Sequence, residues 1–364
     1  MNIVIFGLTI SSSWGNGHAT LWRGLCRALA ARGHQVTFFE LNTPYYAAHR
    51  DMVQPPGCDL RIYENWRDVR DEAALALRLA DVGLVTSFCP DAQAATRLLL
   101  ESSIPLKAYY DMDTPVTLHE IEGGSRPEYV PDCGLGPFDL VLSYTGGRAL
   151  DDLASSLGAR RVAPLYGSVD PDIHRPVAPH PKLQANLSYL GTYAADRQAA
   201  LDRLFLQPAK ERGELKFALA GSQYPEQFDW QSNIFYLSHL PPGDHAVFYS
   251  SSDWTLNVTR GPMAKLGYCP SGRLFEAAAC GTPIVSDSWH GLDEFFTPGE
   301  EIIVARETGD VLNVLELGGE ERRRIGSRAR ERALDCHTAS ARAQDIERAL
   351  EGCGAGSWKV EVGS

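Results

Sequence analysis

Residues 1–41 read MNIVIFGLTISSSWGNGHATLWRGLCRALAARGHQVTFFEL. The apolar run at 2–7 predicts a strand, and a small polar loop follows it. From residue 19 to residue 32 apolar side chains recur at helical spacing, and Gly33 is placed to end that helix. A second apolar run over 36–41 predicts another strand. A strand, a helix and a strand in this order predict a βαβ unit with parallel strands.

The same alternation continues through the first ~165 residues and restarts after a proline-rich segment. Four prolines lie between Asp170 and Pro181, and they disfavour both helix and sheet, so 171–182 is predicted to be a hinge. Further strands are predicted at Leu60–Tyr63, Val82–Thr86, Leu106–Tyr110, Asp139–Ser143, Val162–Leu165, Leu187–Leu190, Leu215–Ala220, Ile234–Leu237, Trp254–Val258, Ile284–Ser286 and Ile302–Val304. Two amphipathic helices, near 320–335 and 338–351, precede a tail at 352–364.

This pattern predicts an α/β protein with two doubly wound, Rossmann-like domains that face each other across a cleft. The first domain is expected at 1–170 and the second at 183–351. Ligands of such sheets bind beyond the carboxyl ends of the strands, so loops of both domains are expected to line the cleft.

Composition excludes several classes of function. The formal net charge is −12, which disfavours binding to nucleic acid or to an anionic membrane. No apolar run approaches the ~20 residues of a membrane span, and the first residues lack the pattern of a signal peptide. The eight cysteines form no CxxC pair, so a cysteine zinc site is not expected. We expect a cytoplasmic protein.

Residues 269–287 read CPSGRLFEAAACGTPIVSD and carry the clearest sign of a ligand site. Ser271 is placed to cap a short helix that Gly281 ends. The N–H groups at the start of that helix suit a diphosphate, and Gly272 leaves room for a ligand. Glu276, one turn further, is placed to accept hydrogen bonds from ribose hydroxyls. The alternative is an ordinary helix with a surface pair between Arg273 and Glu276.

This segment resembles the donor-binding signature E-A-x-A-x-G-x-P of retaining GT-B glycosyltransferases. In that branch a further Glu lies eight positions before the second one, where this chain has Tyr268. Other motifs occur in order at 12–20, 110–115, 189–193, 196–197, 256–260 and 291–293; they read SSWGNGHAT, YDMDTP, YLGTY, DR, LNVTR and GLD. Together the set resembles the CgeB-like glycosyltransferases over residues 1–345. The resemblance implies a GT-B fold and sugar transfer from a nucleoside-diphosphate donor to an undefined hydroxyl-type acceptor. It implies no catalytic metal and no cofactor.

The resemblance also implies which residues bind the donor. The glycine loop at 15–17 is expected to face the donor phosphates. Arg197 and Arg260 are candidate diphosphate clamps because a guanidinium binds phosphate in a bidentate way; the alternative is that each forms a surface ion pair. The expected donor-binding residues are Gly15, Asn16, Gly17, Tyr193, Arg197, Arg260, Ser271, Gly272, Arg273 and Glu276.

Three residues of the first domain are candidate catalytic groups. Histidine is the residue type most often used as a general base, so His18 suits that role toward an acceptor hydroxyl; the alternative is a histidine that caps a helix or packs in a loop. Asp111 and Asp113 formally make a DxD motif. We expect them to orient or deprotonate the acceptor and not to bind a metal; the alternative is an Asx turn before Pro115.

Two other functions fit the same fold. A sugar-nucleotide epimerase interconverts donors without an acceptor. A non-catalytic module binds a sugar nucleotide and releases no nucleoside diphosphate. Incubation with nucleotide sugars alone separates the epimerase from the transferase, and the fold by itself does not discriminate among the three.

Overall fold

The computed structural model describes residues 1–15 and 17–353 and divides the chain into two units. The N-terminal unit contains a seven-stranded parallel sheet in the order β3-β2-β1-β4-β5-β6-β7. Its strands are β1 (Asn2–Gly7), β2 (Gln35–Leu41), β3 (Asp59–Tyr63), β4 (Val82–Thr86), β5 (Leu106–Asp111), β6 (Leu140–Ser143) and β7 (Val162–Pro164). The helices between them are α1 (His18–Ala31), α2 (Pro44–Ala47), α3 (Trp66–Arg78), α4 (Ala92–Glu101), α5 (Thr114–Glu122) and α6 (Arg148–Leu157).

The C-terminal unit contains a six-stranded parallel sheet in the order β10-β9-β8-β11-β12-β13. Its strands are β8 (Ala185–Leu190), β9 (Phe217–Ala220), β10 (Ile234–Leu237), β11 (Ser252–Asn257), β12 (Ile284–Ser286) and β13 (Ile303–Val304). Its helices are α7 (Gln198–Leu201), α8 (Gln207–Glu211), α9 (His245–Ser250), α10 (Gly261–Leu266), α11 (Gly272–Ala279), α12 (Thr308–Leu315) and α13 (Gly319–Cys336). A π-helical segment, Asp202–Leu206, joins α7 to α8. Two parallel sheets with interleaved helices confirm the predicted α/β fold class.

The last helix, α14 (Ala339–Glu351), belongs to the N-terminal unit and packs on α1. The Glu347 carboxylate accepts hydrogen bonds from Arg32 and from His34, each at 2.8 Å. The sequence analysis placed residues up to 351 in the C-terminal domain, whereas the structure places residues from Ala339 onward in the N-terminal unit. The reason is that α14 buries its apolar face against α1, a contact between chain ends that no local pattern reveals.

The proline-rich segment is not a separate hinge. The C-terminal unit begins at Gly167 and includes this segment. The N–H of Val177 donates to the Ser250 hydroxyl at 3.2 Å, and the N–H of His180 donates to the Ser251 hydroxyl at 2.9 Å. The segment is therefore fastened to α9 and the turn after it, and it brings His174 into the C-terminal unit. Among the described residues, no helix combines the length and apolar character that crossing a bilayer requires.

Gly326, inside α13, sets how closely that helix approaches the end of α11. A Cβ added at Gly326 would lie far inside van der Waals contact of the Gly281 carbonyl oxygen. We expect Gly326→Ala to lower the free energy of unfolding by about 1–3 kcal/mol, because overpacking here outweighs the gain of ~1 kcal/mol that alanine gives in a free helix. Denaturant unfolding measures the difference. Gly319→Ala, whose Cβ would meet only the flexible ends of the Arg322 and Arg323 side chains, is the control and should change stability much less.

Candidate functional site

The helix α11 places its first turn beside the ends of the central strands of the C-terminal sheet. Ser271 occupies the N-cap position, but its side chain makes no capping hydrogen bond, so the predicted cap is present only as backbone geometry. A Cβ at Gly272 would meet nothing within 4 Å. The first turn of α11 thus presents its backbone toward open space, where the N-terminal end of the helix dipole favours an anion.

Arg273 crosses the carboxyl ends of β8 and β11. Its Nε donates to the Leu190 carbonyl, and its Nη1 donates to the Asn257 side chain at 3.0 Å. The guanidinium carbon lies 5.0 Å from the ring centroid of Tyr189, a cation–π contact. A side chain at Gly191 would collide with both Arg273 and Tyr189. Arg273 is therefore oriented by the strand ends, and its hydrogen bonds do not go to Glu276, the partner in the surface pair that the sequence left open as the alternative.

Arg197 lies next to Arg273 and has no carboxylate among its hydrogen-bond partners in the described part of the chain. Its Nη1 donates to the Tyr189 hydroxyl at 3.1 Å, and its Nη2 donates to the Thr192 carbonyl at 2.7 Å. Burial lowers the pKa of Arg197, and the like charges of Arg273 and Arg260 lower it further. A partly buried cation held by neutral oxygens beside a second cation is an incomplete electrostatic arrangement, which an anionic ligand would complete.

Arg260 is more exposed than Arg197 and is held in an ion pair. Its side chain is 43% exposed, and its Nε lies 3.2 Å from the Asp196 carboxylate. This is the ion pair that the sequence left open as the alternative. The structure therefore distinguishes the two candidate clamps: Arg197 points among the strand ends, while Arg260 is held at the surface by Asp196.

Tyr193 belongs to an aromatic cluster beside the strand ends. Its ring packs on Tyr224 with 5.5 Å between centroids and on Phe228 with 6.5 Å. The Tyr224 hydroxyl donates to the Gly191 carbonyl at 2.9 Å. The cluster fixes the 191–193 loop, so Tyr193 supports the backbone that Arg197 contacts.

Asp287 is a partly buried carboxylate directly after β12, and the sequence did not single it out for a role. It accepts hydrogen bonds from the Thr259 N–H at 3.0 Å and from the Thr259 hydroxyl at 2.9 Å. Burial raises the pKa of the Asp287 carboxyl. Because Thr259 directly precedes Arg260, these bonds fix the loop after β11. In the sequence, Asp287 could have been found because it directly follows an apolar strand.

Glu276 lies one turn inside α11 and has two histidine neighbours. Its Oε2 is 3.4 Å from Nδ1 of His245 and 4.0 Å from Nε2 of His174. The Tyr249 hydroxyl donates to the same oxygen at 3.5 Å. Burial raises the pKa of the carboxyl, but His174, His245 and Arg273 outweigh burial and lower it to about 2. Glu276 is therefore an anion at neutral pH, and all of these contacts involve Oε2.

Tyr268 occupies the position of the further Glu in the retaining GT-B signature. Its backbone has a positive φ of 48°, and its ring packs edge-on against His290 with 5.0 Å between centroids. A side chain at Gly291 would collide with this ring. A packed aromatic ring thus replaces the carboxylate at this position.

In the N-terminal unit, His18 and Asp113 form a close pair. His18 is the first residue of α1, and Asp113 is the residue before α5, so both lie beyond carboxyl ends of the parallel sheet. Nε2 of His18 is 2.8 Å from the Asp113 carboxylate. The Ser87 hydroxyl donates to the same carboxylate at 3.3 Å. This contact keeps a proton on Nε2 of His18 and leaves the lone pair on Nδ1, which has no hydrogen-bond partner in the described residues.

The glycine loop before α1 is only partly described. Gly15 has a positive φ of 68°, and a Cβ there would meet the Tyr45 hydroxyl at 2.9 Å. Gly17 is the N-cap residue of α1, and a Cβ there would meet nothing within 4 Å. Asn16, also predicted to contact the donor, lies outside the described residues.

Asp111 lies at the end of β5 and is fully buried. Its Oδ1 accepts the N–H of Asp113 at 3.0 Å, which is the Asx turn that the sequence left open. Its Oδ2 is buried without a hydrogen-bond partner in the described chain. Burial and the charge of Asp113 raise the pKa of Asp111 to about 7. Among the three predicted catalytic residues, His18 and Asp113 are in contact, and Asp111 is buried and accepts a hydrogen bond from the backbone of Asp113.

Asp111→Asn is expected to stabilise the protein increasingly as the pH rises from 4 to 7. An ordinary Asp ionises near pH 3.8 and Asp111 near 7, so the folded state holds a proton that the unfolded state releases, and the parent loses stability across this window. The gain relative to the parent is on the order of 4 kcal/mol at most, and it is constant above pH 8. Denaturant unfolding of both proteins at several pH values measures it. An unchanged difference between pH 4 and pH 8 would contradict the assignment of this pKa.

Comparison with known proteins identifies the class of enzyme. Residues 197–348 match a family model described as glycosyl transferase-like. No curated protein matches the chain at a significant level.

Solved structures resemble the chain over nearly its whole length. A sucrose-phosphate synthase from Thermosynechococcus elongatus is 15% identical with a TM-score of 0.68, covering 98% of this chain and 100% of its own. The Anabaena protein HepE in complex with UDP-glucose is 12% identical with a TM-score of 0.65, covering 97% and 100%. An α-glucosyltransferase in complex with UDP-glucose and DNA is 13% identical with a TM-score of 0.68, covering 96% and 99%. At these identities the likeness shows the GT-B fold. Together with the family match it confirms the predicted class, a glycosyltransferase.

Proposed function

We propose that this protein transfers a sugar from a nucleoside-diphosphate donor to an acceptor hydroxyl, and that it is a CgeB-like member of the GT-B glycosyltransferases. The family match over 197–348 supports the transferase class. Two proteins of similar fold have been seen with UDP-glucose, which supports a nucleotide sugar as the donor. The ordered motifs of the sequence support the CgeB-like assignment.

The observation that carries the proposal is the pair of cations beside the start of α11. The charge of Arg273 contributes to lowering the pKa of Arg197, and the hydrogen bonds of both arginines go to neutral oxygens. The open backbone at Gly272 adds N–H groups at the same strand ends. A diphosphate supplies the two to three negative charges that this arrangement lacks. Arg260, released from Asp196, would provide a third contact.

Glu276 is placed to bind the ribose of the donor. Its Oε2 faces His174 and His245, and Oε1 remains to accept hydrogen bonds from ribose hydroxyls. The carboxylate is ionised at neutral pH, and a charged acceptor forms the stronger hydrogen bonds. Glu276 lies one turn beyond Gly272 on α11. The diphosphate would therefore bind at the first turn of the helix, and the ribose linked to it would bind one turn further along.

The N-terminal unit would activate the acceptor. Nδ1 of His18 takes the hydroxyl proton while the acceptor oxygen bonds to the anomeric carbon of the donor sugar. Asp113 stabilises the imidazolium that forms, through the contact to Nε2. The bond from the sugar to the diphosphate breaks, and Arg197, Arg273 and the α11 N–H groups stabilise the charge on the leaving diphosphate. The step needs no metal ion and no cofactor.

Thermal unfolding in the presence of EDTA tests donor binding. We expect a nucleoside diphosphate or its sugar to stabilise the protein, by about 2.7 kcal/mol at 100-fold above its dissociation constant. Glu276→Gln keeps the side-chain shape and should weaken binding of the nucleotide sugar, while a ribose-free pyrophosphate should bind both proteins equally. Absence of stabilisation by every diphosphate in a panel of bases would contradict the proposal.

Turnover separates the transferase from the two alternatives. Release of nucleoside diphosphate that depends on an added acceptor supports transfer. Conversion of one nucleotide sugar into another without an acceptor would instead show an epimerase. Binding with neither reaction, across acceptors that carry sugar, amino-acid and small-molecule hydroxyls, would show a binding module.

A further inference from the structure

His174, His245 and Glu276 form a compact cluster within the C-terminal unit. One ligand atom from each lies within 4.8 Å of the others, and among the described residues this is the cluster of histidine, cysteine and acidic side chains that meets this distance. Each comes from a different part of the chain: the proline-rich segment, the start of α9 and α11. Sugar transfer as proposed uses only Glu276 of the three, so the two histidines have no role in it.

The orientation of His245 is set by the backbone. Its Nε2 is 3.3 Å from the Leu240 carbonyl, which only accepts, so Nε2 carries a proton. In the neutral ring Nδ1 then holds a lone pair, and it faces the Glu276 Oε2 at 3.4 Å. Two acceptors at this distance repel each other unless a cation or a second proton lies between them. A ligating histidine commonly donates its other N–H to a carbonyl in this way.

His174 brings a second imidazole ring to the cluster. Its side chain is 6% exposed, and Nε2 is buried without a hydrogen-bond partner in the described chain. Nε2 lies 4.0 Å from the same Oε2. A metal ion binds the neutral form of the imidazole ring. An unsatisfied buried nitrogen aimed at a carboxylate is costly, and a shared ligand would satisfy both groups.

We propose that His174, His245 and Glu276 bind a divalent cation of the zinc class. Two imidazoles and one carboxylate are donors that zinc accepts, whereas calcium and magnesium prefer oxygen alone. Ligand atoms about 2.1 Å from a tetrahedral zinc ion lie about 3.4 Å apart. His245 and Glu276 already have this separation. Nε2 of His174 lies 4.0 Å from Oε2 of Glu276, so the His174 ring must move inward when the ion binds. Three protein ligands leave a fourth position for a water molecule or another small ligand.

The proposed metal site and the proposed donor contact use different atoms of Glu276. Oε2 of Glu276 would bind the metal ion, whereas the proposed ribose contact uses Oε1. The metal site stands on the cluster geometry and does not depend on sugar transfer. Donor binding is measured in EDTA and metal binding without nucleotide, so failure of one result leaves the other interpretable.

Metal binding to the chelator-treated protein is the test. We expect one Zn²⁺ per chain by competition with a chromophoric chelator, and Co²⁺ should give the visible absorption of a tetrahedral site. His174→Gln and His245→Gln should each weaken Zn²⁺ binding at least about 10-fold, because even second-shell partners have effects of that size. His119→Gln, an exposed histidine of the other unit, should bind like the parent. Equal binding by all four proteins would overturn the proposal.

X-ray absorption of the Zn²⁺-loaded parent keeps the proposal testable if a variant fails to fold. Two imidazole nitrogens and at least one oxygen at about 2.0–2.1 Å support the site. Sulfur at about 2.3 Å would assign the metal to cysteines and would overturn it. Absence of Zn²⁺ binding by the parent would do the same.

Discussion

Replacement of His18 by alanine is expected to lower the rate of sugar transfer by about 10²- to 10⁴-fold, the usual effect of losing a general base. His18 is the side chain in contact with Asp113, at 2.8 Å, and Nδ1 is the atom with a free lone pair. The side chains proposed to bind the diphosphate and the ribose, Arg197, Arg273 and Glu276, lie in the other unit, so nucleotide binding should stay within about twofold of the parent. Initial rates at saturating donor, together with thermal shift by nucleoside diphosphate, measure the two effects separately.

Asp113→Asn extends this experiment. An amide in place of the carboxylate loses the stabilisation of the imidazolium, so the rate should also fall, although by less than in His18→Ala. Binding of a nucleoside diphosphate is the control, because it involves no proton transfer from an acceptor. If His18→Ala transfers sugar at the parent rate while folded, His18 is a packing residue, the alternative that its sequence context left open.

Local periodicity was sufficient to predict most of the sheet strands. The boundaries of β1, β4, β10 and β12 match the prediction, β11 differs at both ends, and the other strands differ by one or two residues at one end. This works because the central strands, such as β1 and β4, are short apolar runs buried on both faces and bounded by turn residues. The helix α3 was not predicted, although Val69, Ala73 and Leu77 recur at its buried positions and Asn65 caps it. Its many charged side chains hide the narrow apolar stripe.

Contacts between residues that are distant in the chain could not be predicted from the sequence. Its motifs identified Arg273 and Glu276, but not the partners that orient them. His174 is in a segment that proline content marked as a hinge, and the hydrogen bonds that fasten this segment to Ser250 and Ser251 are contacts between distant residues. The packing of α14 on α1 is likewise a contact between distant parts of the chain. Such contacts depend on which surfaces meet in the folded unit, and periodicity within one element carries no information about them.

Arg197→Met is expected to weaken the binding of nucleoside diphosphates by about 10- to 150-fold, which corresponds to the ~1.5–3 kcal/mol of a charge-assisted hydrogen bond. Methionine keeps the unbranched apolar stem and removes the charge. Isothermal titration with a nucleoside diphosphate and with the nucleoside alone measures the effect. The nucleoside lacks phosphate, so its affinity should be the same for both proteins.

The stability of the variant decides between a binding role and a structural role. Arg197 makes hydrogen bonds to Tyr189 and Thr192, but it also repels Arg273 and Arg260. These effects oppose each other, so the free protein should lose less than about 1 kcal/mol of unfolding free energy. Arg203→Met, an exposed arginine of the same helical segment, should bind the diphosphate like the parent. If Arg197→Met unfolds far more easily yet binds the diphosphate with parental affinity, the guanidinium holds the 191–193 loop in place and does not contact the phosphates.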